Sequence, residues 1–142
     1  MSLTDVAQIL EFKGKLDEAC EAYETILKGN LKTIMVFQDY LDLAQCYAKA
    51  NRLEDAKKAF EGAIEHRVVL DSIMARPRLE YAAFLETIGS HKEAYEQLCL
   101  NFDEKRNAMK PSELEERTEK IFELGRQIGQ SRKEIATRIN CI

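Results

Sequence analysis

Apolar residues recur at helical spacing along most of the chain. The clearest face has members at i, i+3, i+4 and i+7, namely Tyr40, Leu43, Ala44 and Tyr47. A second face of the same kind follows it, formed by Ala56, Phe60, Ala63 and Ile64. Because the chain has only two prolines and six glycines, few positions interrupt these patterns. The pattern predicts an all-α protein built from paired helices.

The same local pattern occurs three times, in residues 12–23, 49–60 and 87–98. Each copy has Gly or Asn, then Ala five positions later, then a large apolar residue four positions after that: Gly14, Ala19 and Tyr23; Asn51, Ala56 and Phe60; Gly89, Ala94 and Leu98. Gly and Asn tolerate the left-handed conformation that closes a helix, and a small Ala lets the next helix pack closely. Each copy therefore predicts a helical hairpin.

The middle copy resembles the tetratricopeptide repeat (TPR), which has an aromatic residue, Leu, a small residue and Tyr on its first helix and Ala, an aromatic residue and Ala on its second. The matching residues are Tyr40, Leu43, Ala44, Tyr47, Ala56, Phe60 and Ala63. The resemblance implies a right-handed α-α superhelix of TPR-like hairpins. It also implies a non-catalytic scaffold that binds a peptide or helix of a partner protein in a concave groove.

The spacing of the copies leaves the repeat subtype open. Ala19, Ala56 and Ala94 are 37 and 38 residues apart, whereas the TPR period is about 34 residues. The chain also resembles the half-a-TPR (HAT) repeats of RNA-processing scaffolds, in the segments Phe37-Tyr40-Leu43, Arg78-Tyr81-Phe84 and Ala56 to Ala63. A further likeness joins residues 47–56 to pentatricopeptide repeats, which read one RNA base each. An RNA-processing or RNA-binding module is therefore the alternative function.

The last third of the chain predicts two helices after a polar link at residues 101–110. Ser112 with Glu115, and Ser131 with Glu134, have the spacing of capping boxes, and Gly129 favours a break between them. We expect helices at about 112–128 and 131–140, which would form a degenerate fourth hairpin. Residues 1–110 would then hold three hairpins and residues 111–142 would cap them, in one structural domain.

A single bent helix is the competing interpretation of residues 112–140. Its apolar residues would recur every seven positions, as Leu114, Ile121, Ile128 and Ile135. An apolar stripe with this seven-residue spacing would support a homodimer through the C-terminal helices.

Composition narrows the classes of protein that fit. Among 142 residues, 45% are hydrophobic and 32% are charged. The net charge of −4 gives no overall attraction to nucleic acid and leaves room only for a local basic patch. The N-terminal residues lack the pattern of a signal peptide, and no stretch has the roughly 18 apolar residues that a membrane span needs. We expect a soluble intracellular protein, in the cytoplasm or nucleus.

The sequence carries no motif of an enzyme or of a bound cofactor. Phosphate-binding loops, HExxH and GxSxG are missing. The cysteines, Cys20, Cys46, Cys99 and Cys141, are far apart and form no CxxC pair, so we expect buried, reduced thiols rather than a metal site. The prediction is a protein without catalysis, metal or cofactor.

The TPR resemblance implies which residues would meet a partner, because the first helix of each hairpin lines the groove. The candidates are Gln8, Gln38, Leu41, Asp42, Gln45, Lys49, Arg76, Leu79, Glu80 and Glu86. Thr4, Glu11 and Ala83 stand at equivalent positions. Only Arg76 supplies a cation at the positions where some TPR domains clamp a terminal carboxylate, so no such clamp is expected.

Two further expectations concern charge and chain length. If Asp42, Glu80 and Glu86 stay unpaired in the groove, polyanions should be repelled. The first predicted helix has only about ten residues before Gly14. We therefore expect the chain to be a fragment of a longer repeat array.

Overall fold

The computed structural model describes residues 1–33, 36–66 and 75–139. Within these ranges the regular structure consists of eight α-helices and one short 3-10 helix, Arg106–Ala108. The α-helices are α1 (Leu3–Phe12), α2 (Leu16–Asn30), α3 (Val36–Lys49), α4 (Leu53–Glu65), α5 (Ala75–Thr87), α6 (His91–Lys105), α7 (Pro111–Gln127) and α8 (Arg132–Arg138). They pack in successive pairs, so the prediction of an all-α fold built from paired helices is confirmed.

The chain divides into two compact units, Met1–Pro77 (unit 1) and Arg78–Ile142 (unit 2). In unit 1, α1 packs on α2, α2 on α3, and α3 on α4. The helices meet at small residues that are fully buried: Ala7, Ala19, Ala44, Ala56 and Ala63. A small side chain lets two helix backbones approach, and the larger Phe37, Phe60 and Leu43 fill the space beside each contact. This packing explains why alanine marks each copy of the repeat.

The predicted helix-closing residues adopt the left-handed conformation in all three hairpins. Gly14 has φ 77°, Asn51 has φ 60° and Gly89 has φ 81°. The residue after each one donates its N–H to a carbonyl five positions back, for example Arg52 to Tyr47 at 2.9 Å. This bond satisfies a carbonyl that the end of the helix would leave without a partner. The sequence pattern thus sets where three helices end.

In unit 2, α6 packs on α7 and α7 packs on α8. Asn101 of α6, which stands where the repeat pattern favours a small apolar residue, is 1% exposed. Its Oδ1 accepts a hydrogen bond from the Arg117 guanidinium of α7. The departure from the pattern therefore provides a polar contact that positions α7.

The last third contains two helices, α7 and α8, separated near Gly129 as the sequence predicts. The Ser131 capping box is confirmed, since Ser131 Oγ accepts from the Glu134 N–H at 3.1 Å and Glu134 Oε1 accepts from the Ser131 N–H at 3.1 Å. The predicted cap at Ser112 is wrong. Helix α7 begins at Pro111, Lys110 is its N-cap, and no side chain caps it. Proline suits this first position because it has a helical φ and no N–H to satisfy.

The cysteines within the described residues are buried free thiols, as predicted for Cys20, Cys46 and Cys99. Cys141 lies outside the described residues. Across the described ranges, the helices are too short or too polar to cross a membrane.

Candidate functional site

Polar side chains of α3 and of the start of α5 form a chain of hydrogen bonds. Arg76 Nη1 donates to Gln38 Oε1 at 2.9 Å, and Gln38 Nε2 donates to Asp42 Oδ1 at 2.9 Å. Helix α3 carries Gln38 and Asp42 one turn apart, so both side chains emerge on the same side of the helix. Three of the predicted partner-binding residues are thus brought together.

Glu11 of α1 is a second centre of this surface. Its Oε1 accepts from the Tyr23 hydroxyl at 2.5 Å, and its Oε2 accepts from Lys49 Nζ at 2.5 Å. Tyr23 belongs to α2 and Lys49 to α3, so one carboxylate links three helices. We refer to Glu11, Gln38, Asp42, Lys49 and Arg76 as the polar network.

Burial affects the carboxylates of α3. It raises the pKa of Asp42, an effect that the hydrogen bond from Gln38 and the positive charge of Arg76 oppose, while Asp39 and Glu11 add to it. Burial likewise raises the pKa of Asp39, against the hydrogen bond that Asn30 Nδ2 donates to it at 3.1 Å. A desolvated carboxylate favours a nearby cation. This part of the surface is therefore better suited to a positively charged group than to a polyanion.

Leu41 does not belong to this surface. Its side chain is 1% exposed and lies in the core of unit 1 with Phe37 and Cys46. The repeat pattern placed Leu41 beside the packing face, but an apolar side chain at that border gains free energy by turning inward. The sequence-based assignment of Leu41 as a partner-binding residue is therefore wrong for the packing that the structure describes.

Phe12 is an exposed aromatic residue at the end of α1. Its side chain is 91% exposed. It lines a cleft of about 550 Å³ with Met1, Asp5, Gln8 and Ile9. It also lines a second cleft of about 260 Å³ with Gln8, Glu11 and Lys49. Phe12 and Gln8 thus connect a mostly apolar recess, which we call the Phe12 cleft, to the polar network.

Phe12 is not among the residues predicted from the sequence to meet a partner, although the pattern of α1 contains the signal. At about 100° per residue, Phe12 lies about 140° around the helix from Ala7, and Ile9 lies about 200° from it. Ala7 is fully buried, so both apolar residues point away from the helical contact of α1. A second apolar stripe on a helix that already has one indicates a surface available to another molecule.

Unit 2 contains the remaining predicted residues. On α5, Leu79 and Glu80 are half-buried and Ala83 is exposed. Glu86 Oε1 accepts from Lys120 Nζ of α7 at 2.7 Å. The condition set for repulsion of polyanions, an unpaired carboxylate, is therefore not met at Glu86. Sequence reasoning missed Lys120 because its partner is 34 residues away along the chain and no local pattern joins them.

The polar network presents donors and acceptors for hydrogen bonds. Within the described part of the chain, no three His, Cys, Asp or Glu side chains cluster in a way that would hold a metal ion. Gln8 is exposed and Gln45 is half-buried on the same helices, and each amide can donate and accept. Chemically, the surface suits the recognition of polar and apolar groups of another molecule.

Comparison with solved structures identifies the fold. The chain is similar to the nearly identical TPR-like repeats of a proposed kinesin light chain from Podosopora anserina, with 17% identity, a TM-score of 0.66, and coverage of 96% of this chain and 71% of that chain. A variant of the same repeats that differs by one substitution gives 18% identity, a TM-score of 0.68 and the same coverage. No protein-family model matches the sequence, and no curated protein matches it significantly. The chain therefore has the TPR-like all-α repeat fold.

Proposed function

We propose that the chain is a non-catalytic protein-interaction module that holds a peptide or helix of a partner protein against α1 and α3. The observation that carries the proposal is the 91% exposure of Phe12 at the junction of two clefts. A large apolar side chain in water is unfavourable, and covering it would remove apolar area worth about 25 cal/mol per Å². Exposed aromatic residues beside a recess are common centres of binding energy.

The polar network supports the same proposal because its side chains are held before any partner arrives. Gln38 is fixed by Arg76 and Asp42, and Lys49 is fixed by Glu11. Ordering a free polar side chain on binding costs about 0.5–1.5 kcal/mol, so prior ordering lowers the cost of association. Gln8 and Gln45 would add hydrogen bonds to the backbone of the partner.

Within unit 2, Leu79 and Glu80 stay predicted partner contacts, and α7 with α8 would act as a C-terminal cap on α6. The polar ties of these helices to α6 favour a cap: Arg117 donates to Asn101, and Arg138 Nη1 lies 2.9 Å from Asp103 Oδ2. A polar outer layer lets a terminal repeat end in water.

A library of displayed peptides tests the proposed surface even while the natural partner is unidentified. Peptides selected on the chain would be synthesised, and their Kd measured for Phe12→Ser and for Leu31→Ser. Leu31 is the matched control, since it is an apolar side chain 51% exposed at the end of α2. We expect Phe12→Ser to weaken binding by about tenfold or more, as loss of a central aromatic contact does. Leu31→Ser should leave Kd unchanged.

Two results would count against the proposal. The first is that the selected peptides bind both variants with equal Kd and, in an NMR titration, shift only the backbone amide signals of α2 and α4. The second is tight, salt-sensitive binding of RNA that outcompetes every peptide, which would favour the RNA-binding alternative. The desolvated Asp39 and Asp42 make the second result unexpected.

A further inference from the structure

Two cysteine thiols meet in the core of unit 1. Cys20 Sγ of α2 lies 3.1 Å from Cys46 Sγ of α3, and both side chains are 0% exposed. The Cys20 thiol donates to the Cys46 sulfur, and the Cys46 thiol lies 3.8 Å from the backbone oxygen of Leu16, to which it donates. Both thiols are free. The pair joins the second helix of the first hairpin to the first helix of the second.

We propose that Cys20 and Cys46 are a site of reversible oxidation, at which a disulfide covalently joins the first hairpin to the second. A disulfide has an S–S length of about 2.05 Å. The two sulfur atoms must therefore approach by about 1 Å from their separation of 3.1 Å. Helices α2 and α3 already pack on each other, so a change of this size requires side-chain adjustment and little helix movement.

A hydroperoxide is the oxidant in the proposed reaction. The thiolate of one cysteine attacks the terminal peroxide oxygen, which gives a sulfenic acid and releases an alcohol, or water when the oxidant is hydrogen peroxide. The second thiol then attacks that sulfur, the S–S bond forms, and water leaves. Two thiols and one hydroperoxide thus yield one disulfide, one alcohol and one water. A thiol reductant reverses the bond by thiol–disulfide exchange.

The two sulfurs share the same kind of environment. Burial raises the pKa of both thiols, against the positive charge of Arg52 at Cys20 and of Lys49 at Cys46. Either sulfur can therefore react first, and the other then acts as the resolving thiol. Reaction should be slow in the closed core, because thiolate is scarce and solvent is excluded.

Cys99 provides an internal comparison in unit 2. It is fully buried and free, and its surroundings include Tyr95 and Arg138. Burial raises its pKa to about 11. Cys99 therefore shares the burial and reduced acidity of the pair but lacks an adjacent thiol within the described residues.

The test uses the full chain carrying Cys99→Ala and Cys141→Ser, so that only the pair remains. After treatment with hydrogen peroxide, we expect a mass lower by about 2 Da, loss of both alkylatable thiols, and a Cys20–Cys46 cross-link in a non-reducing peptide map. The Tm should rise by roughly 5–10 °C, since the bond closes a loop across two packed helices. A reductant should restore the starting mass and Tm.

Single variants Cys20→Ala and Cys46→Ala in the same background are the controls, checked for helical circular dichroism before oxidation. Each should gain oxygen, as sulfenic or sulfinic acid, or form dimers through its remaining thiol, without the loss of about 2 Da per chain. The proposal is overturned if the two-cysteine chain also gains oxygen instead of losing hydrogen. It is overturned equally if its thiols stay alkylatable after prolonged oxidation at a temperature where the core opens.

Discussion

Gly125 offers the sharpest test of how the C-terminal helices pack. It is buried within α7, and Ile135 of α8 lies directly against it. A Cβ added at Gly125 would lie 2.5 Å from Ile135 Cδ1, 2.7 Å from Ile135 Cγ1 and 3.2 Å from Tyr95 Cε2. Ile135 and Tyr95 are themselves buried, so neither side chain can simply move into solvent. Gly125→Ala should therefore separate α8 from α7.

Two opposing effects set the size of this perturbation. Replacing glycine by alanine within a helix favours folding by about 1 kcal/mol. Forcing an extra carbon into a filled core costs about 1–3 kcal/mol, and the close approach of two Ile135 atoms places this site in the upper half of that range. We expect a net loss of about 1–2 kcal/mol in the free energy of unfolding, and a Tm lower by roughly 3–6 °C.

Gly29→Ala is the matched control. Gly29 also lies within a helix, α2, but a Cβ there would meet nothing within 4 Å. This change should stabilise the chain by about 0.5–1 kcal/mol, because only the backbone effect remains. Adding Ile135→Ala to Gly125→Ala should cost less than the sum of the two single changes, since a smaller side chain at 135 makes room for the new methyl group.

Urea unfolding followed by circular dichroism measures all four variants. If Gly125→Ala stabilises the chain as much as Gly29→Ala does, the close contact between α7 and α8 is refuted. Additive effects of Gly125→Ala and Ile135→Ala would refute it independently.

Three further predictions concern the cap, the core and pH. Ser131→Ala should cost about 1 kcal/mol through loss of the α8 cap, whereas Ser112→Ala should change unfolding by less than about 0.5 kcal/mol, both measured by urea titration. Leu41→Ala should lower the free energy of unfolding by about 2–5 kcal/mol, because it truncates a core side chain, whereas Gln45→Ala should change it by less than about 0.5 kcal/mol. Equally small effects of both changes would contradict the burial of Leu41. Burial raises the pKa of Asp42, so the folded chain binds the carboxyl proton more tightly than the unfolded chain does. The protonated Asp42 therefore contributes fully to the free energy of unfolding below the ordinary pKa of 3.8, and this contribution is lost as pH rises through the raised pKa. Asp42→Asn should therefore raise the Tm at neutral pH and lose this advantage in acid, and a constant difference across pH would contradict the reasoning.

The periodic positions of the chain determined most of the fold. Alanine at 19, 56 and 94, and the left-handed residues Gly14, Asn51 and Gly89, set where helices end and where they touch. Such features act within one or two turns, so a local pattern contains them in full. The break near Gly129 was predicted for the same reason.

Other properties depended on partners that are distant in sequence. Leu41 moved from the predicted surface into the core, and Glu86 met Lys120 across 34 residues. Cys20 and Cys46 are 26 residues apart and share no motif, yet their sulfurs touch. Spacing along one helix fixes the side from which a residue emerges, but the neighbour it meets depends on how the helices are packed. The sequence therefore determined the helices and most of their ends, though not the start of α7, and the tertiary structure decided which polar, apolar and thiol groups came into contact.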